Sequence, residues 1–513
     1  MAFICMPGIL LSGCVDDDII SVDPDYNGAT ENLSCDPVPV CPTECRYYVS
    51  INGDDSADGQ SWKTALRQIQ PAINKASCAV TACKQITQCD VWVAGQKRQK
   101  ILSSTKTDYS MKPDGSGKND TIRLRDRVNL YGGFEGTETT PDDRWFVQKP
   151  DVANWSLMYT MDLIPRLGAV GRIMEVDGRS RVDGFEFLGG LTDIVAEEWQ
   201  GGGAIWAHGQ NVTIANCMFE VNGGKDVSAG GAIFVDGGDA QISYSVFTGN
   251  SADTGGAIAL LGSGAVTIDR CAFNDNKARV SGGAIHKTNA EALKVSNSIF
   301  YHNSSSQYGG AIGVDHLTSY ANTEYNTEEV LFKISNAFFV ANESRSGGSA
   351  ISVVGPAPDD REPIVQSCTF FNNTDLYAGV TVGLGKRGID RGFGTVTNSI
   401  IWSETMPDAK SVIARKISNS VVKNWRLMEG EMIGEGIIDS DPMITLVRFS
   451  DYWPWWSYTL APNSPCIDSG LADTSPATDL SGNPRVDISS VENTGAGAIN
   501  YSDIGAIEFV EAQ

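Results

Sequence analysis

Basic residues are scarce in this chain, and histidine is scarcer still. Lys and Arg number 39 against 63 Asp and Glu, so the net charge is −24. A strongly negative chain repels the phosphates that a nucleic-acid-binding protein must neutralise, and we therefore expect no nucleic-acid partner. The four histidines share no metal-ligand spacing, so they predict no zinc site and are interpreted as surface or turn residues: His208, His286, His302 and His316.

Long apolar runs are also missing. Residues 1–14, MAFICMPGILLSGC, are apolar but too short to span a bilayer. Residues 11–14, LSGC, resemble the bacterial lipobox, and this resemblance implies that Cys14 is acylated and becomes the new N-terminus. Contact with the membrane would then be through the lipid anchor only, on a protein of the bacterial outer membrane or cell surface. The alternative is an ordinary secretory signal, because no Lys or Arg precedes the apolar run.

Cysteine is concentrated in one short region. Six of the 12 cysteines lie within residues 35–89: Cys35, Cys41, Cys45, Cys78, Cys83 and Cys89. An even number of cysteines in an exported chain predicts three disulfides, with the pairing left open. A zinc site is the alternative, but these residues contain no CxxC pair and no His.

Two short motifs alternate along the middle of the chain. The sequence GGAI begins at Gly202, Gly230, Gly255, Gly282 and Gly309, and a looser copy begins at Gly347. Between the copies lies FxxN, whose aromatic residues are Phe219, Phe247, Phe273, Phe300, Phe339 and Phe370. The Asn residues of this motif are Asn222, Asn250, Asn276, Asn303, Asn342 and Asn373. A unit of about 27 residues with insertions is typical of a solenoid whose insertions are loops.

Each unit contains only short apolar runs, which are too short for helices and cannot bury a face alone. Stacked at about 4.8 Å per coil, they would place Phe under Phe and Asn under Asn. We expect the Asn residues to hold left-handed turns and form an amide ladder, and the Gly pair to occupy a crowded corner. Cys217, Cys271 and Cys368 stand two positions before a stacked Phe and are interpreted as small buried residues rather than reactive thiols.

GGAI paired with FxxN resembles the repeat of chlamydial polymorphic membrane proteins and of wider right-handed parallel β-helix families. The resemblance implies an all-β, right-handed, single-stranded parallel β-helix with an N-terminal disulfide-rich cap that contains a helix. Residues 47–76 and 129–138 resemble the opening of secreted bacterial β-helix proteins, and SPCIDSG, DLSGNPR and SDIGAIE resemble their closing segment. Leu66, Ile69 and Ile73 lie on one helical face, which suits a helix that covers the first coil.

These patterns divide the chain into five parts. We interpret residues 1–14 as a lipoprotein signal peptide, 15–45 as a Cys- and Pro-rich tether, 46–120 as the N-terminal cap, 121–440 as the parallel β-helix and 441–513 as the closing segment.

Two local compositions suggest ligand contact. A basic group with one carboxylate, Lys386, Arg387, Asp390 and Arg391, is the best lyase-like patch, and a solvated loop with an internal ion pair is the alternative. Trp453, Trp455 and Trp456 are candidates for stacking on sugars or filling a partner's pocket. Their alternative role is to close the hydrophobic end of the last coil.

Calcium has two weak candidates, residues 52–58 and 479–483, where oxygen ligands alternate around a Gly. Asx turns explain both segments without a metal, and we predict no metal site.

No Asp cluster recurs at equivalent positions in adjacent coils. The preferred function is therefore a noncatalytic, adhesin-like or structural module whose loops, residues 318–329 and 356–363, contact a cell-surface protein or glycan. The alternative is a polysaccharide lyase or glycoside hydrolase, which would need a cleft lined by carboxylates and bases over three adjacent coils.

Overall fold

A computed structural model of the chain describes most of the residues after 42. The described residues are 35, 41, 43–95, 109–111, 121–144, 166–169, 171–191, 201–224, 227–262, 264–288, 292–315, 332–354, 362–376, 381–384, 394–404, 412–423, 432–433, 436–448, 456–471, 475–497 and 500–510. The chain divides into two compact units, residues 1–34 and 35–513, and all described residues lie in the second.

Three long parallel sheets run through the described residues, because each turn of the chain adds one strand to each sheet. Sheet I has 13 strands: Arg46–Val49, Cys89–Ala94, Val128–Phe134, Arg181–Asp183, Val212–Ala215, Ala240–Ser243, Ala265–Asp269, Ala292–Ser296, Phe332–Ser335, Ile364–Gln366, Thr395–Thr397, Lys416–Ser418 and Met432–Ile433. Its first two strands belong to the predicted cap, so the cap and the β-helix share one sheet.

The other two long sheets carry the repeated motifs. Sheet II, which contains the Phe of FxxN, has 12 strands: Tyr109–Met111, Arg166–Ala169, Glu186–Leu188, Met218–Glu220, Val246–Thr248, Ala272–Asn274, Ile299–Tyr301, Phe338–Val340, Thr369–Phe371, Ile400–Trp402, Ser420–Val422 and Ile437–Ile438. Sheet III, which contains the Ile of GGAI, has ten: Ile122–Leu124, Met174–Val176, Ile205–Ala207, Ile233–Asp236, Ile258–Leu261, Ile285–Thr288, Ile312–Asp315, Ile351–Val354, Val382–Leu384 and Val412–Ile413.

A short fourth sheet lies between sheets II and III in chain order. It is formed by Ser251–Thr254, Lys277–Ser281, Ser304–Ser305, Glu343–Ser344 and Thr374–Asp375. This arrangement confirms the predicted all-β, right-handed parallel β-helix. The expected stacking also extends one coil further back than the repeat indicated, since Phe187 stacks on Phe219 with ring centroids 4.9 Å apart.

The interior contains a column of stacked Phe side chains. Successive Phe rings from Phe219 to Phe370 lie 4.6–4.8 Å apart and within 11° of parallel. The corner before sheet III needs glycine on steric grounds. Gly282 has φ +67°, and a Cβ on Gly283 would lie 2.0 Å from the carbonyl oxygen of Gly310 in the next coil.

The FxxN asparagines form a buried ladder along the corner after sheet II. The Asn222 side chain donates to Asn250 Oδ1 at 3.0 Å and to the Phe187 carbonyl at 3.0 Å, and the same pattern continues through Asn373. The left-handed residue is not the Asn, as the sequence suggested, but the residue before it. Val221 and Asp275 both have φ +52° there. The Asn itself is needed for its amide, which satisfies a backbone carbonyl and a backbone N–H of the preceding coil.

The three thiols before the stacked Phe residues lie inside the column. Cys217, Cys271 and Cys368 are buried, and burial raises the pKa of Cys217 and Cys368 to about 12. Their backbone N–H groups donate to a Ser hydroxyl in the following coil, as Cys217 does to Ser245 at 3.2 Å. This is the environment of a small packing residue.

The N-terminal cap packs on the first strands and is held together by disulfides. The helix Ile69–Ala82 covers the first strands, with the 3-10 turn Trp62–Thr64 before it, and a second such turn spans Pro141–Asp143. Three disulfides join Cys35 to Cys78, Cys41 to Cys83 and Cys45 to Cys89, which confirms the predicted number and resolves the pairing. Leu66 precedes the helix but is buried with Ile69 and Ile73 as expected. No helix among the described residues combines the length and apolar character needed to cross a bilayer.

The closing segment lies against the side of the β-helix. Its antiparallel strands Ile444–Arg448 and Trp456–Leu460 are followed by irregular chain that packs on the outer face of sheet II. The Tyr458 hydroxyl lies 2.6 Å from Thr369 Oγ1, and the Tyr458 ring lies 4.9 Å from the Phe338 ring. The strand that Trp456 begins therefore covers an outer face, and not the end of the last coil.

Candidate functional site

The outer face of sheet III places chemically varied side chains at equivalent positions on successive coils. Because side chains alternate along a strand, the core residues Val235, Leu260 and Val314 leave their neighbours facing outward. The residue after the Ile of each copy of GGAI forms one outward row: Trp206, Phe234, Ala259, His286, Gly313 and Ser352. The third residue after the same Ile forms a second row: His208, Asp236, Leu261, Thr288, Asp315 and Val354.

Two polar residues of the second row and the residue that aligns with them in the preceding coil are named the edge ladder: Asp177, His208 and Asp236. Asp177 follows Val176, which pairs with Ala207, so it aligns with His208. His208 Nε2 lies 3.0 Å from Asp177 Oδ1. The Arg125 guanidinium lies 3.9 Å from the other oxygen of Asp177.

The two carboxyl groups of the edge ladder have different surroundings. Asp177 is about a third exposed and lies beside Arg125 and His208. Burial raises the pKa of Asp236, while the charge of His208 and a hydrogen bond from Trp206 act against the rise. A carboxyl group with a raised pKa near a second carboxyl group that contacts an Arg is the residue set from which a general acid and a general base can be formed.

An aromatic and guanidinium wall stands beside the edge ladder. The Trp206 ring centroid is 4.8 Å from that of His208, and the Arg172 guanidinium lies 4.6 Å over the Trp206 ring. Arg172 is held by Glu175 at 3.0 Å and by the carbonyl of Gly201 at 3.0 Å. The same row continues through Phe234 into a small apolar cluster outside the main core. Trp206 itself is buried, so this group is a packed surface beside the edge ladder.

His286, further along the same face, was expected to be a surface or turn residue but is buried. It occupies a strand position between Ala259 and Gly313, where its side chain is 8% exposed. Its Nε2 lies 2.8 Å from the Thr288 hydroxyl and 3.9 Å from Asp315, and its Nδ1 has no hydrogen-bond partner. Burial lowers the pKa of His286, which favours the neutral ring. His302 does lie exposed at a turn, 3.2 Å from Asp275, and His316 lies outside the described residues.

Most of the site residues predicted from local composition lie outside the described residues. This applies to Cys14, to the basic group Lys386, Arg387, Asp390 and Arg391, and to Trp453 and Trp455. Only the backbone of Trp456 is described, as the first residue of its strand. These assignments remain predictions.

The two calcium candidates use their carboxylates as turn acceptors. Asp54 Oδ1 accepts from the backbone N–H of Ser56 at 2.9 Å and from its hydroxyl at 2.8 Å. Asp479 Oδ1 accepts from the backbone N–H of Asn483 at 2.8 Å. Within the described part of the chain, no group of three or more His, Cys, Asp and Glu side chains is arranged to hold a metal ion.

The edge ladder was missed because the sequence was searched for repeated Asp residues. Its members are Asp, His and Asp, so they share a position and not a residue type. Counting five residues from the second Gly of each GGAI would have aligned His208 with Asp236. The coil of Asp177 lacks GGAI altogether, so only the strand pairing of Met174–Val176 with Ile205–Ala207 places it in the row.

Comparisons with known proteins agree with this architecture. Residues 202–404 match the sequence profile of a family described as right handed beta helix region. Over 195 residues the chain is 28% identical to metabotropic glutamate receptor-like protein R of Dictyostelium discoideum, a stretch that covers 38% of this chain and 11% of that protein. The chain thus spans only about a tenth of the length of this curated relative.

Solved structures with a similar chain path include two proteins of low sequence identity. The crystal structure of pectate lyase Pel9A is 13% identical, with 91% of this chain and 97% of that chain covered and a TM-score of 0.37. The complex structure of XylC with xylose is 10% identical, with 91% and 98% covered and a TM-score of 0.33. The strand order of the three sheets shows the parallel β-helix, and the profile match over residues 202–404 agrees with it.

Proposed function

We propose that this protein is a noncatalytic binding module of the bacterial cell surface, in which the β-helix is a rigid support for loops that contact a surface protein or a glycan. The observation that carries the proposal is the length of the connections from sheet III to sheet I. Three consecutive coils have three residues there, at 237–239, 262–264 and 289–291, and the next three have sixteen, nine and ten, at 316–331, 355–363 and 385–394.

The strands that carry these long connections are neighbours. Val314 pairs with Val353, and Val353 pairs with Leu384, so the three connections leave from one edge about 4.8 Å apart. Loops held side by side on a rigid scaffold are a common site of binding residues. The connections include both predicted contact loops and the basic group Lys386, Arg387, Asp390 and Arg391.

The test is to replace residues 316–331, and separately 385–394, with the Gly-Ser-Gly of residues 262–264. We expect at least tenfold weaker binding to intact cells or to glycans on an array. The matched control is the same replacement at 289–291, which should keep both the strand-rich circular dichroism spectrum and the binding. Equal binding by all three variants would contradict the proposal, as would a native chain that binds none of these surfaces.

Glycoside hydrolysis is the second candidate, and the edge ladder favours it. Asp177 and Asp236 are two coils apart, which separates their backbones by about 9.6 Å at 4.8 Å per coil. Inverting glycosidases hold their two carboxyl groups about 6.5–9.5 Å apart to admit a water molecule. In this role Asp236 would protonate the leaving oxygen and Asp177 would activate the water.

Product formation separates the two candidates. The chain is incubated with acidic and neutral polysaccharides, with and without calcium, while reducing ends and unsaturated products are followed. Hydrolysis that is lost in Asp236→Asn and Asp177→Asn but kept in Asp315→Asn, a carboxylate of the same row, would establish the hydrolase. Calcium-dependent unsaturated products lost in Arg387→Ala would instead indicate a lyase. Binding without products is what the noncatalytic proposal expects.

A further inference from the structure

Four carboxyl groups and one guanidinium are buried together in the closing segment, and we name them the carboxyl cluster: Asp468, Asp479, Asp503, Glu508 and Arg485. The Arg485 guanidinium lies 2.7 Å from Glu508 Oε2, the only ion pair recorded in the cluster among the described residues. If all four carboxyl groups were ionised, four negative charges would face one positive charge. Burying that excess of charge is costly unless protons remove part of it.

The cluster is connected by hydrogen bonds to the backbone. Asp503 accepts from the N–H of Asp468 at 2.8 Å and from that of Phe509 at 2.6 Å. Glu508 accepts from the N–H of Val486 at 2.9 Å, and its own N–H donates to Asp479 at 3.1 Å. Each of these carboxylates thus orders a stretch of chain that has no regular strand.

One oxygen in the cluster has no donor. Asp468 is fully buried, its Oδ2 accepts from the N–H of Ile488 at 3.2 Å, and its Oδ1 has no hydrogen-bond partner. A buried carboxylate oxygen without a donor is destabilised when charged and relieved when it carries a proton. Asp468 Oδ1 is therefore the natural place for a proton in this cluster.

The surroundings of the cluster support retention of protons. Burial raises the pKa of Asp468 to about 6, with the negative charges of Asp487 and Glu508 adding to the effect. Burial and the charge of Glu508 raise the pKa of Asp503 to about 8. Burial also raises the pKa of Glu508, which Arg485 opposes.

Two other titratable groups pack against this part of the closing segment. Burial raises the pKa of Cys466 to about 12 and raises that of Tyr458 further, so both stay neutral across the range of interest. From the β-helix itself, the group that faces Arg485 is the uncharged amide of Asn336, at 3.4 Å.

The segment that the cluster orders is attached to the β-helix by polar contacts and by apolar packing. The Asn398 side chain exchanges two hydrogen bonds of 2.6 Å with the backbone of Leu471. The backbone N–H of Ala506 donates to the Tyr458 hydroxyl at 3.0 Å and to Thr369 Oγ1 at 3.1 Å. Beneath these contacts lie apolar residues of the outer face of sheet II, including Phe338, Ile400 and Val421.

We propose that the closing segment is a pH-dependent clasp, which holds the outer face of sheet II while Asp468 and Asp503 keep their protons and loosens when they lose them. Loosening would uncover an apolar strip on the side of the β-helix. The inference does not depend on what the loops bind.

The direction follows from linkage. Both carboxyl groups have a higher pKa in the folded segment than the ordinary value of 3.8, so the folded state binds more protons than the open state. The stability they contribute is complete below pH 3.8 and is lost as the pH rises through about 6 and then about 8. The clasp should therefore be tight in mild acid and loose in mild alkali.

The test is hydrogen exchange of the full chain between pH 5 and 9, corrected for the intrinsic rate. We expect protection of peptides from 456–510 to fall at least tenfold across this range, while peptides from 233–315 keep theirs. Protection of the closing segment that does not change with pH would overturn the proposal.

Asp468→Asn gives the sharper comparison, because an uncharged amide imitates the protonated carboxyl. We expect this variant to hold its protection to higher pH than the native chain. Asp275→Asn, a half-exposed carboxylate on a distant turn, is the matched control and should keep the native profile. An unchanged profile in Asp468→Asn would overturn the role of Asp468. If the closing segment of Asp468→Asn is unprotected even at pH 5, the change of protection with pH in the native chain tests the proposal by itself.

Discussion

Lys287 occupies a position that the fold reserves for apolar side chains. It pairs with Leu260 on one side and Val314 on the other, both of which are core residues, and it is fully buried. Burial lowers the pKa of its ammonium from 10.5 to about 8. In the sequence, GGAIHKT looks like one more repeat. Nothing in it indicates that its Lys faces the interior, because only the strand register decides on which face of the sheet a residue lies.

Replacing Lys287 by Leu should therefore stabilise the protein. A pKa lowered from 10.5 to about 8 corresponds to roughly 3 kcal/mol at neutral pH. Since the unfolded state binds more protons between these two values, the native chain should gain stability as the pH rises from about 8 to 10.5, and Lys287→Leu should not. Denaturant unfolding at pH 7 and pH 10 measures both effects. A variant less stable than the native chain at pH 7 would contradict the assignment.

Phe273 is the central ring of the Phe column, 4.8 Å from Phe247 and 4.7 Å from Phe300. Phe273→Ala should cost about 3 to 5 kcal/mol, because the rigid neighbouring coils cannot collapse into the cavity. Thr267→Ala, at an exposed outward position of sheet I, is the control and should change stability by less than about 0.5 kcal/mol. A loss below about 1 kcal/mol in Phe273→Ala would place that ring outside the packed column.

At the scale of elements, the Asn ladder fixes the alignment of adjacent coils, which apolar packing alone specifies less strictly. The Asn276 side chain donates to the Phe247 carbonyl and to Asn303 Oδ1, both at 2.9 Å. It also accepts from the backbone and the side chain of Asn250. Each Asn therefore bonds to the coil before it and to the coil after it, which explains its recurrence better than a turn preference does.

Asn276→Ala should cost about 2 to 4 kcal/mol, because it leaves the buried N–H of Asn250 without its partner and removes the side-chain bonds to the Phe247 carbonyl and to Asn303. The effect should also be local. Amide exchange of Asn250 and Asn276 is expected to accelerate more than that of residues three coils away. Asn211→Ala, an exposed Asn before sheet I that also has positive φ, controls for loss of an Asn in a turn. A uniform change in exchange along the whole β-helix would argue against the ladder as a local fastener.

The elements differ in how far the sequence could specify them. Coils that contain GGAI and FxxN were predictable because one period fixes strand, corner and ladder together. The closing segment was recognisable as a segment, but its place was not. Its contacts are made by single residues such as Tyr458 and Leu471 with coils about 90 and 70 residues earlier in the chain, and no periodicity records such pairings.

At the scale of the whole molecule, the edge that carries the long connections and the outer face that carries the edge ladder were predictable to different degrees. Long connections could be read as insertions, but only the pairing of Ile312–Asp315, Ile351–Val354 and Val382–Leu384 puts three of them on one edge. The edge ladder depends on the same register. The side chains that can act together on this fold thus depend on which coils are neighbours. The sequence shows the order of the coils, but the strand register is needed to show which outward residues align in one row.

The remaining prediction concerns attachment of the molecule to a membrane. We expect Cys14 to carry a lipid, since LSGC at residues 11–14 resembles a lipobox, and one acylated Cys would anchor a chain that is otherwise strongly negative. Cys35, the first cysteine that the structure describes, forms a disulfide with Cys78 in the helix. The segment that follows Cys14 is therefore linked covalently to the N-terminal cap.

Cys14→Ser should therefore move the protein from the membrane fraction to the soluble fraction of cells that express it. Cys217→Ser is the matched control, because its position in the column is filled by Ser245 and Ser298 in other coils, and it should stay with the membranes. Metabolic labelling with a fatty acid should mark the native chain and Cys217→Ser but not Cys14→Ser. Unlabelled native protein, or membrane retention that is the same in Cys14→Ser, would show that Cys14 is not the anchor.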